Sequence, residues 1–421
     1  MGFGSVKTKL KNYIQDRLTD AGALRAFATE RRIRRGGPIR VGFLCQFIPA
    51  WAKMETLYRL MQADGRFEPY LICVPSNIQN CRLTTPESML NDTYQYFLDR
   101  GYAEARNALI GPEQWLDLRE LGLSYVFYTR PYNTFMPEPY TSSAVSKFSR
   151  VCMLMYSMNF AVEDCAIALN RQFMSRVYFY FAETDYARQL HIRQNRLAHQ
   201  LGLQKTLCVG LPALDTLAAA KEQASSSWDF SKNSFRVMWT PRWTTDPAAG
   251  GSNFFTYGAH MLRLAREHPD MDFLLRPHPL MFQHFIETGE MTAQEADAYQ
   301  AECEAMANVA LDKQSQYDAT LWGTDVLISD ISGIVPEFLF TGKPVIFCNT
   351  NMQLDLLAPM KKLLSGCYIV HDAEELTQRL LDLQAGKDPL RQQRLHSVRE
   401  VFGEGSPSRK ILELLIQDRK A

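Results

Sequence analysis

The tetrapeptide Arg276-Pro277-His278-Pro279 places a guanidinium and an imidazole two residues apart, each followed by proline. It follows the apolar pair Leu274-Leu275, so both polar side chains fall just beyond the end of an expected strand. A guanidinium offers a two-pronged donor for phosphate, and an imidazole adds a second donor or an acid. The prolines restrict the backbone and reduce the freedom lost when a loop grips a ligand. Spacing alone leaves two readings open: a phosphate-gripping loop, or a rigid turn with a surface arginine and a packed histidine.

A second stretch, Ser329-Asp330-Ile331-Ser332-Gly333, follows the apolar run 324–328 and precedes an expected helix at about 334–341. The first N–H groups of such a helix point outward and favour an anion. Ser332 adds a hydroxyl, and Gly333 permits close approach. Glu337, one turn in, cannot hold a phosphate but can accept hydrogen bonds from ribose hydroxyls. Phosphate donors followed by a sugar acceptor suggest a nucleotide. The plainer reading makes Ser332 a helix cap and Glu337 an acid complementing the helix dipole; the two readings are compatible. In a third strand-end loop, 240–246, Arg242 offers another cation, although a surface arginine is the simpler account. Gly250, Gly251 and Ser252 would make that loop mobile or able to approach a ligand closely.

These loops need strands to carry them. Apolar strands are expected at 39–47, 67–75, 123–132, 150–156, 176–184 and 205–212, with helical periodicity at 52–65 between the first two. Strand, helix and strand in so short a span form a βαβ unit, hence a parallel sheet. A second series has strands at 235–243, 271–279, 307–312, 324–330 and 343–349, with helices at 257–270 and 290–307. The predicted fold class is α/β, with two Rossmann-like doubly wound domains facing across a cleft. Ligands in such sheets bind at the carboxyl ends of the strands. The expected divisions are a basic segment 1–35, an N-terminal domain 36–222, a polar linker 223–234, a C-terminal domain 235–403 and an amphipathic helix 404–421, with Ser406 and Ser408 as candidate caps.

With 421 residues, two domains are the natural expectation. Apolar residues make up 46% and charged residues 22%, and the formal net charge is zero. That balance argues against a general nucleic-acid-binding surface. Residues 1–40 nevertheless hold ten Lys/Arg against three acids. Leu10, Tyr13, Ile14 and Leu18 recur there at roughly helical spacing, so the segment could be a basic amphipathic helix touching an anionic membrane surface. The alternative is a solubilising helix, or one docked on the body of the protein. No apolar run long enough to span a membrane and no secretion signal is evident. The nine cysteines are scattered singly, most within apolar runs, and read as small buried hydrophobes in a reducing compartment. The expected location is the cytoplasm, with peripheral contact to the inner face of the plasma membrane.

The ordered blocks GLPALDTL, VMWTPRW, FLLRPHP and TDVLISDISGIVPEFLFTGKPVIF resemble the CDP-glycerol glycerophosphotransferase family, enzymes of teichoic acid and capsule synthesis with the GT-B fold. The resemblance covers roughly residues 176–350, and its last block is the most specific. It implies that Arg276, His278, Ser332, Gly333 and the Asp330 region hold the donor's phosphates and that Glu337 meets the ribose. It implies transfer of glycerol phosphate or a related polyol phosphate from a CDP-activated donor to a hydroxyl on a polysaccharide or lipid-linked acceptor; with no acidic cluster of a metal-binding kind in the sequence, a metal-independent reaction without a cofactor is expected. Many members carry Trp-His-Gly-Thr after an N-domain strand, and its histidine is the proposed general base. Here Tyr156 and Ser157 stand where that histidine is expected, and residues 1–190 contain no histidine. Glu163, Asp164, Glu183 and His191 are candidates to take the proton, and Tyr156 could position the acceptor.

Other readings survive at this stage: a nucleotide-sugar glycosyltransferase of the same fold, a non-hydrolysing UDP-sugar 2-epimerase, and a non-catalytic nucleotide-binding scaffold subunit. The epimerase ranks lowest of the enzymes, because the first strand, VGFLCQFIPAW, lacks that enzyme's Gly-Thr-Arg-Pro segment.

Overall fold

The computed structural model describes residues 3–29, 36–85, 89–228, 230, 233–314, 316–348 and 352–420. The chain divides into two compact units. The first comprises Met1–Asn159, Glu163–Asp215 and Gly405–Ala421; the second comprises Phe160–Val162 and Thr216–Glu404.

The first unit is built on seven strands: β1 (Ile39–Cys45), β2 (Phe67–Cys73), β3 (Arg106–Asn107), β4 (Tyr125–Tyr128), β5 (Arg150–Leu154), β6 (Val177–Ala182) and β7 (Lys205–Cys208). They pair in the order 7-6-5-4-1-2-3, all parallel. Order reverses between β1 and β4, as in a doubly wound sheet. Every residue of β4 and β6 is buried, as expected of strands covered on both faces. Phe43, Phe127 and Phe181 stack across β1, β4 and β6, with centroids 5.1 and 5.9 Å apart.

The second unit repeats the plan with β8 (Phe235–Thr240), β9 (Met271–Leu275), β10 (Val309–Leu311), β11 (Val326–Ser329), β12 (Val345–Phe347) and β13 (Tyr368–Ile369). The order 10-9-8-11-12-13 is again parallel and reverses between β8 and β11. The apolar runs 39–47, 235–243 and 324–330 thus become strands that share one polarity within each sheet, and their carboxyl ends lie along one edge. Strands β3 and β13 are two residues each, too short for any apolar period to announce them.

A 3-10 helix, Ala220–Ser227, runs into the expected linker 223–234. Trp228 is buried, and its indole N–H donates to Thr320 O at 3.4 Å inside the second unit. The last helix, Pro407–Lys420, packs with the first unit. Ser406 Oγ accepts the Arg409 N–H at 3.2 Å and acts as its cap; Ser408 is buried and does not. Asp418 fastens this helix to the sheet, accepting from Tyr125 Oη at 2.7 Å, Tyr178 Oη at 2.8 Å, Lys205 Nζ at 2.6 Å and the Arg150 guanidinium.

At the other end of the chain, Phe3–Thr29 form one helix with Tyr13, Ile14 and Leu18 exposed. Arg31, Arg32, Arg34 and Arg35 lie outside the described residues, as do the side chains of Lys7 and Lys9. No helix among the described residues is long and apolar enough to cross a membrane.

Candidate functional site

In the second unit three loops leave the carboxyl ends of β8, β9 and β11, the strands flanking the reversal point. Asp330, at the end of β11, ties two of them together. Its carboxylate is 1% exposed and accepts from Arg242 N–H at 2.9 Å, Asn253 Nδ2 at 3.0 Å, Asn253 N–H at 3.3 Å and Ser252 Oγ at 3.3 Å. Burial pushes its pKa up and these donors pull it back. A carboxylate so enclosed has no lone pair to offer a ligand. Asp330, expected among the donor contacts, therefore positions the loops instead.

Arg242 is also turned inward. Its guanidinium donates to Ile331 O at 2.8 Å and to Ala249 O, fixing the β8 loop against the β11 loop. Gly250 is packed below it with φ of +108°, and a Cβ there would lie 2.4 Å from Arg242 Nε. The run 250–253, expected to be mobile or ligand-approaching, is buried. Its glycines serve the close approach of the arginine rather than that of a ligand.

The β9 loop joins the same edge. His278 N–H donates to Pro241 O at 3.3 Å, and Arg276 N–H to Trp239 O at 2.9 Å. The Leu280 N–H donates to His278 Nδ1 at 3.2 Å. Nδ1 is thus an acceptor, so the neutral ring carries its proton on Nε2. Desolvation, and then the Arg242 charge, push the His278 pKa down to about 4. At neutral pH the loop presents an uncharged N–H donor at a solvent-accessible position.

Arg276 is not the open fork its sequence context suggested. Its Nη1 is paired with Asp312 Oδ2 at 2.6 Å, with the two side chains 14% and 5% exposed. The guanidinium lies 4.6 Å over the Tyr317 ring. Tyr317 Oη in turn donates to Glu337 Oε2 at 2.8 Å, and Glu337 is 3% exposed. The arginine and the carboxylate therefore meet through a tyrosine that sequence reasoning did not single out. Asp312 and Tyr317 sit in a polar stretch after β10 with no distinguishing motif.

Ser332 and Gly333 stay half-buried at the start of the helix Ile334–Phe340. Gly333 occupies the cap position, and no side chain caps the helix. Among the described residues the Ser332 hydroxyl reaches only Ser329 Oγ, at 3.5 Å. The side-chain capping role considered for Ser332 is thus not taken up; its carbonyl instead accepts the Val335 N–H at 3.2 Å, and Pro336 brings no N–H to the first turn.

In the first unit, Tyr156 lies just past β5; its N–H donates to Thr129 O at 3.2 Å, and its ring meets Phe47 edge-on at 6.2 Å. Glu183 follows β6 and is 2% exposed. Tyr180 Oη donates to its Oε2 at 2.8 Å and Asn159 Nδ2 to its Oε1 at 3.3 Å. Burial raises its pKa. With both oxygens engaged and no exposure, Glu183 is a positioning group rather than a base in reach of an acceptor. His191 is fully buried on Thr206 Oγ1 at 2.8 Å, with its pKa pushed down to about 3 by desolvation. Glu163 and Asp164 are exposed on the helix Val162–Ala168.

A family profile described as CDP-Glycerol:Poly(glycerophosphate) glycerophosphotransferase matches residues 179–416, more than half of the chain and the whole of the β8–β13 sheet. The chain belongs to this family. Among curated proteins none matches it. Among solved structures, the wall teichoic acid polymerase TagF is 13% identical, with a TM-score of 0.58 over 99% of this chain and 97% of its own. A substituted form of TagF soaked with CDPG is 12% identical, with a TM-score of 0.56 over 100% and 99%. UDP-GlcNAc 2-epimerase from Neisseria meningitidis, solved with UDP-GlcNAc, is 15% identical, with a TM-score of 0.60 over 90% and 99%. At these identities the likeness establishes the GT-B fold, and the family match separates this glycerophosphotransferase relative from the epimerases.

Proposed function

We propose that the protein transfers glycerol phosphate or a related polyol phosphate from a CDP-activated donor to a hydroxyl acceptor, in synthesis of a teichoic acid-like or capsule polymer. The observation that carries this reading is the edge where the β9 and β11 loops present a neutral His278 Nε2–H and the Ser332 hydroxyl, beside the start of the helix Ile334–Phe340, which no side chain caps. All are uncharged or partly positive donors, suited to phosphate oxygens. Asp330 and Arg242 hold these loops, and the reading gives the ribose to the Tyr317–Glu337 pair one turn away, with the buried Glu337 acting through the Tyr317 it holds.

The acceptor oxygen attacks the distal phosphorus as the bond to the CMP oxygen breaks; the acceptor hydroxyl gives up its proton to solvent water, and CMP leaves as the anion. His278 and the helix amides stabilise the charge growing on the departing phosphate. This reading uses no metal. The test is incubation with CDP-glycerol, CDP-ribitol or UDP-sugars and a hydroxyl acceptor in EDTA, with identification of the released nucleotide. CMP supports the reading. UDP redirects it to sugar transfer, and nucleotide binding without turnover to a scaffold.

We also assign peripheral membrane contact to the helix Phe3–Thr29, whose exposed Tyr13, Ile14 and Leu18 accompany a strongly basic sequence. Deleting residues 1–35 is expected to abolish binding to anionic liposomes; unchanged binding would rule this out.

A further inference from the structure

Arg130 leaves the carboxyl end of β4, and Gln46 leaves the end of β1, the two strands between which the order of the first sheet reverses. Gln46 is buried and donates from Nε2 to Ser76 O at 2.8 Å. That bond fixes its amide, so its Oε1 accepts from Arg130 Nη1 at 3.0 Å. The guanidinium carbon lies 4.3 Å from the Phe135 ring centre, 4.9 Å from that of Phe47 and 5.8 Å from that of Tyr132. Among the described residues no carboxylate pairs with it.

A half-buried arginine without a counter-charge is costly. Desolvation lowers its pKa accordingly, against the opposing pull of Tyr156 and Tyr132. The aromatic rings lie about the guanidinium and partly offset its desolvation, but they offer no acceptor in the plane of its N–H donors. One of five N–H groups is used on Gln46. The guanidinium's other N–H groups have no partner among the described residues and leave donors for an oxyanion at a sheet's reversal point, where α/β sheets bind ligands. No sequence motif marks this arginine.

We infer that Arg130 is the first unit's anion seat and that it takes a phosphate ester at the acceptor's own terminus. The inference rests on the polyol-phosphate transfer proposed above: a chain extended by such units ends in a hydroxyl beside a phosphate. Arg130 would then position the acceptor by that phosphate and discriminate against a neutral polyol.

The test is calorimetric titration of the full chain, saturated with CDP, with sn-glycerol 3-phosphate and, separately, glycerol. The wild type is expected to bind the phosphate ester and not glycerol. Arg130→Gln should weaken that binding about tenfold or more, and Arg130→Lys, which keeps the charge, should weaken it less. The affinity for CDP should be the same in all three proteins. Wild-type affinity for glycerol 3-phosphate in Arg130→Gln, at unchanged melting temperature, would overturn the assignment. So would a parallel loss of CDP binding, which would make Arg130 a donor residue. If the wild type releases no CMP from CDP-glycerol yet binds glycerol 3-phosphate through Arg130, the transferase reading fails and the anion seat stands.

Discussion

Tyr317 Oη donates to Glu337 Oε2 at 2.8 Å while the Tyr317 ring lies under the Arg276 guanidinium, 4.6 Å away. The tyrosine thus sets the position of the carboxylate proposed to meet the ribose. Tyr317→Phe removes the hydroxyl and keeps the ring. It is expected to cost about 1 kcal/mol of stability and to weaken CDP-glycerol binding about fivefold. Calorimetric titration checks this; wild-type affinity would detach Glu337 from nucleotide recognition.

His278 is held neutral, with its pKa near 4 and its proton on Nε2. Its contribution to kcat/KM should not change between about pH 5 and about pH 8, the range in which an ordinary histidine titrates. His278→Ala should lower kcat/KM about a hundredfold, and His278→Gln, which keeps an N–H donor, should lower it less. A pH–rate inflection near neutrality that disappears in His278→Ala would contradict the neutral-donor role. NMR titration of the free protein gives the pKa directly.

Asp330→Asn replaces an acceptor by an amide whose NH2 faces the Arg242, Asn253 and Ser252 donors. The expected loss is about 2–3 kcal/mol of stability, with weakened nucleotide binding because the β8 and β11 loops separate. Gly250→Ala should show the same pairing of effects, since its Cβ would collide with Arg242 at a positive φ. Thermal denaturation with and without CDP reads both. Full affinity in a destabilised Asp330→Asn would mean that the loops are held by other contacts.

Asp418 is the counter-ion for Arg150 and Lys205 and is nearly enclosed. Asp418→Asn leaves both cations without it and should cost about 3 kcal/mol. Desolvation raises the Asp418 pKa, but the donors around it outweigh that, and the net pKa is lowered. The stability it contributes is therefore present above the ordinary carboxylate value of 3.8 and lost as pH falls below it. Denaturant melts of wild type and variant should converge in strong acid.

His191 works on a different pH range. Its pKa is about 3 in the fold and 6.5 ordinarily, so the unfolded chain takes up the proton first. Stability should fall as pH drops below 6.5, by about 2 kcal/mol down to about pH 5. His191→Gln should flatten that slope in urea melts across this range; an unchanged slope would assign the acid sensitivity to other groups.

The fold was legible in the residues because buried parallel strands are written as apolar runs, and Val177–Ala182 and Val326–Ser329 could hardly be anything else. His278, Ser332 and Gly333 could be placed at strand ends because they follow such apolar runs directly. Asp330 and Arg242 were found as polar residues in the right loops, but given the wrong direction to face. Composition cannot tell a carboxylate that meets a ligand from one that accepts four bonds from its own neighbours. Tyr317, Asp312 and Asn253 carried no local signal at all.

By itself the sequence determined two parallel α/β sheets, the loops at their strand ends, and membership of a family that moves polyol phosphates. Period and apolarity are local properties, and they survive without coordinates. Tertiary structure alone decided which charges are spent on the protein. Arg276 is paired with Asp312 and Arg242 with backbone carbonyls, whereas Arg130 donates to Gln46 and, among the described residues, has no carboxylate partner. Whether a charge is available depends on partners 36 or 89 residues away, and the chain brings those together only when it folds.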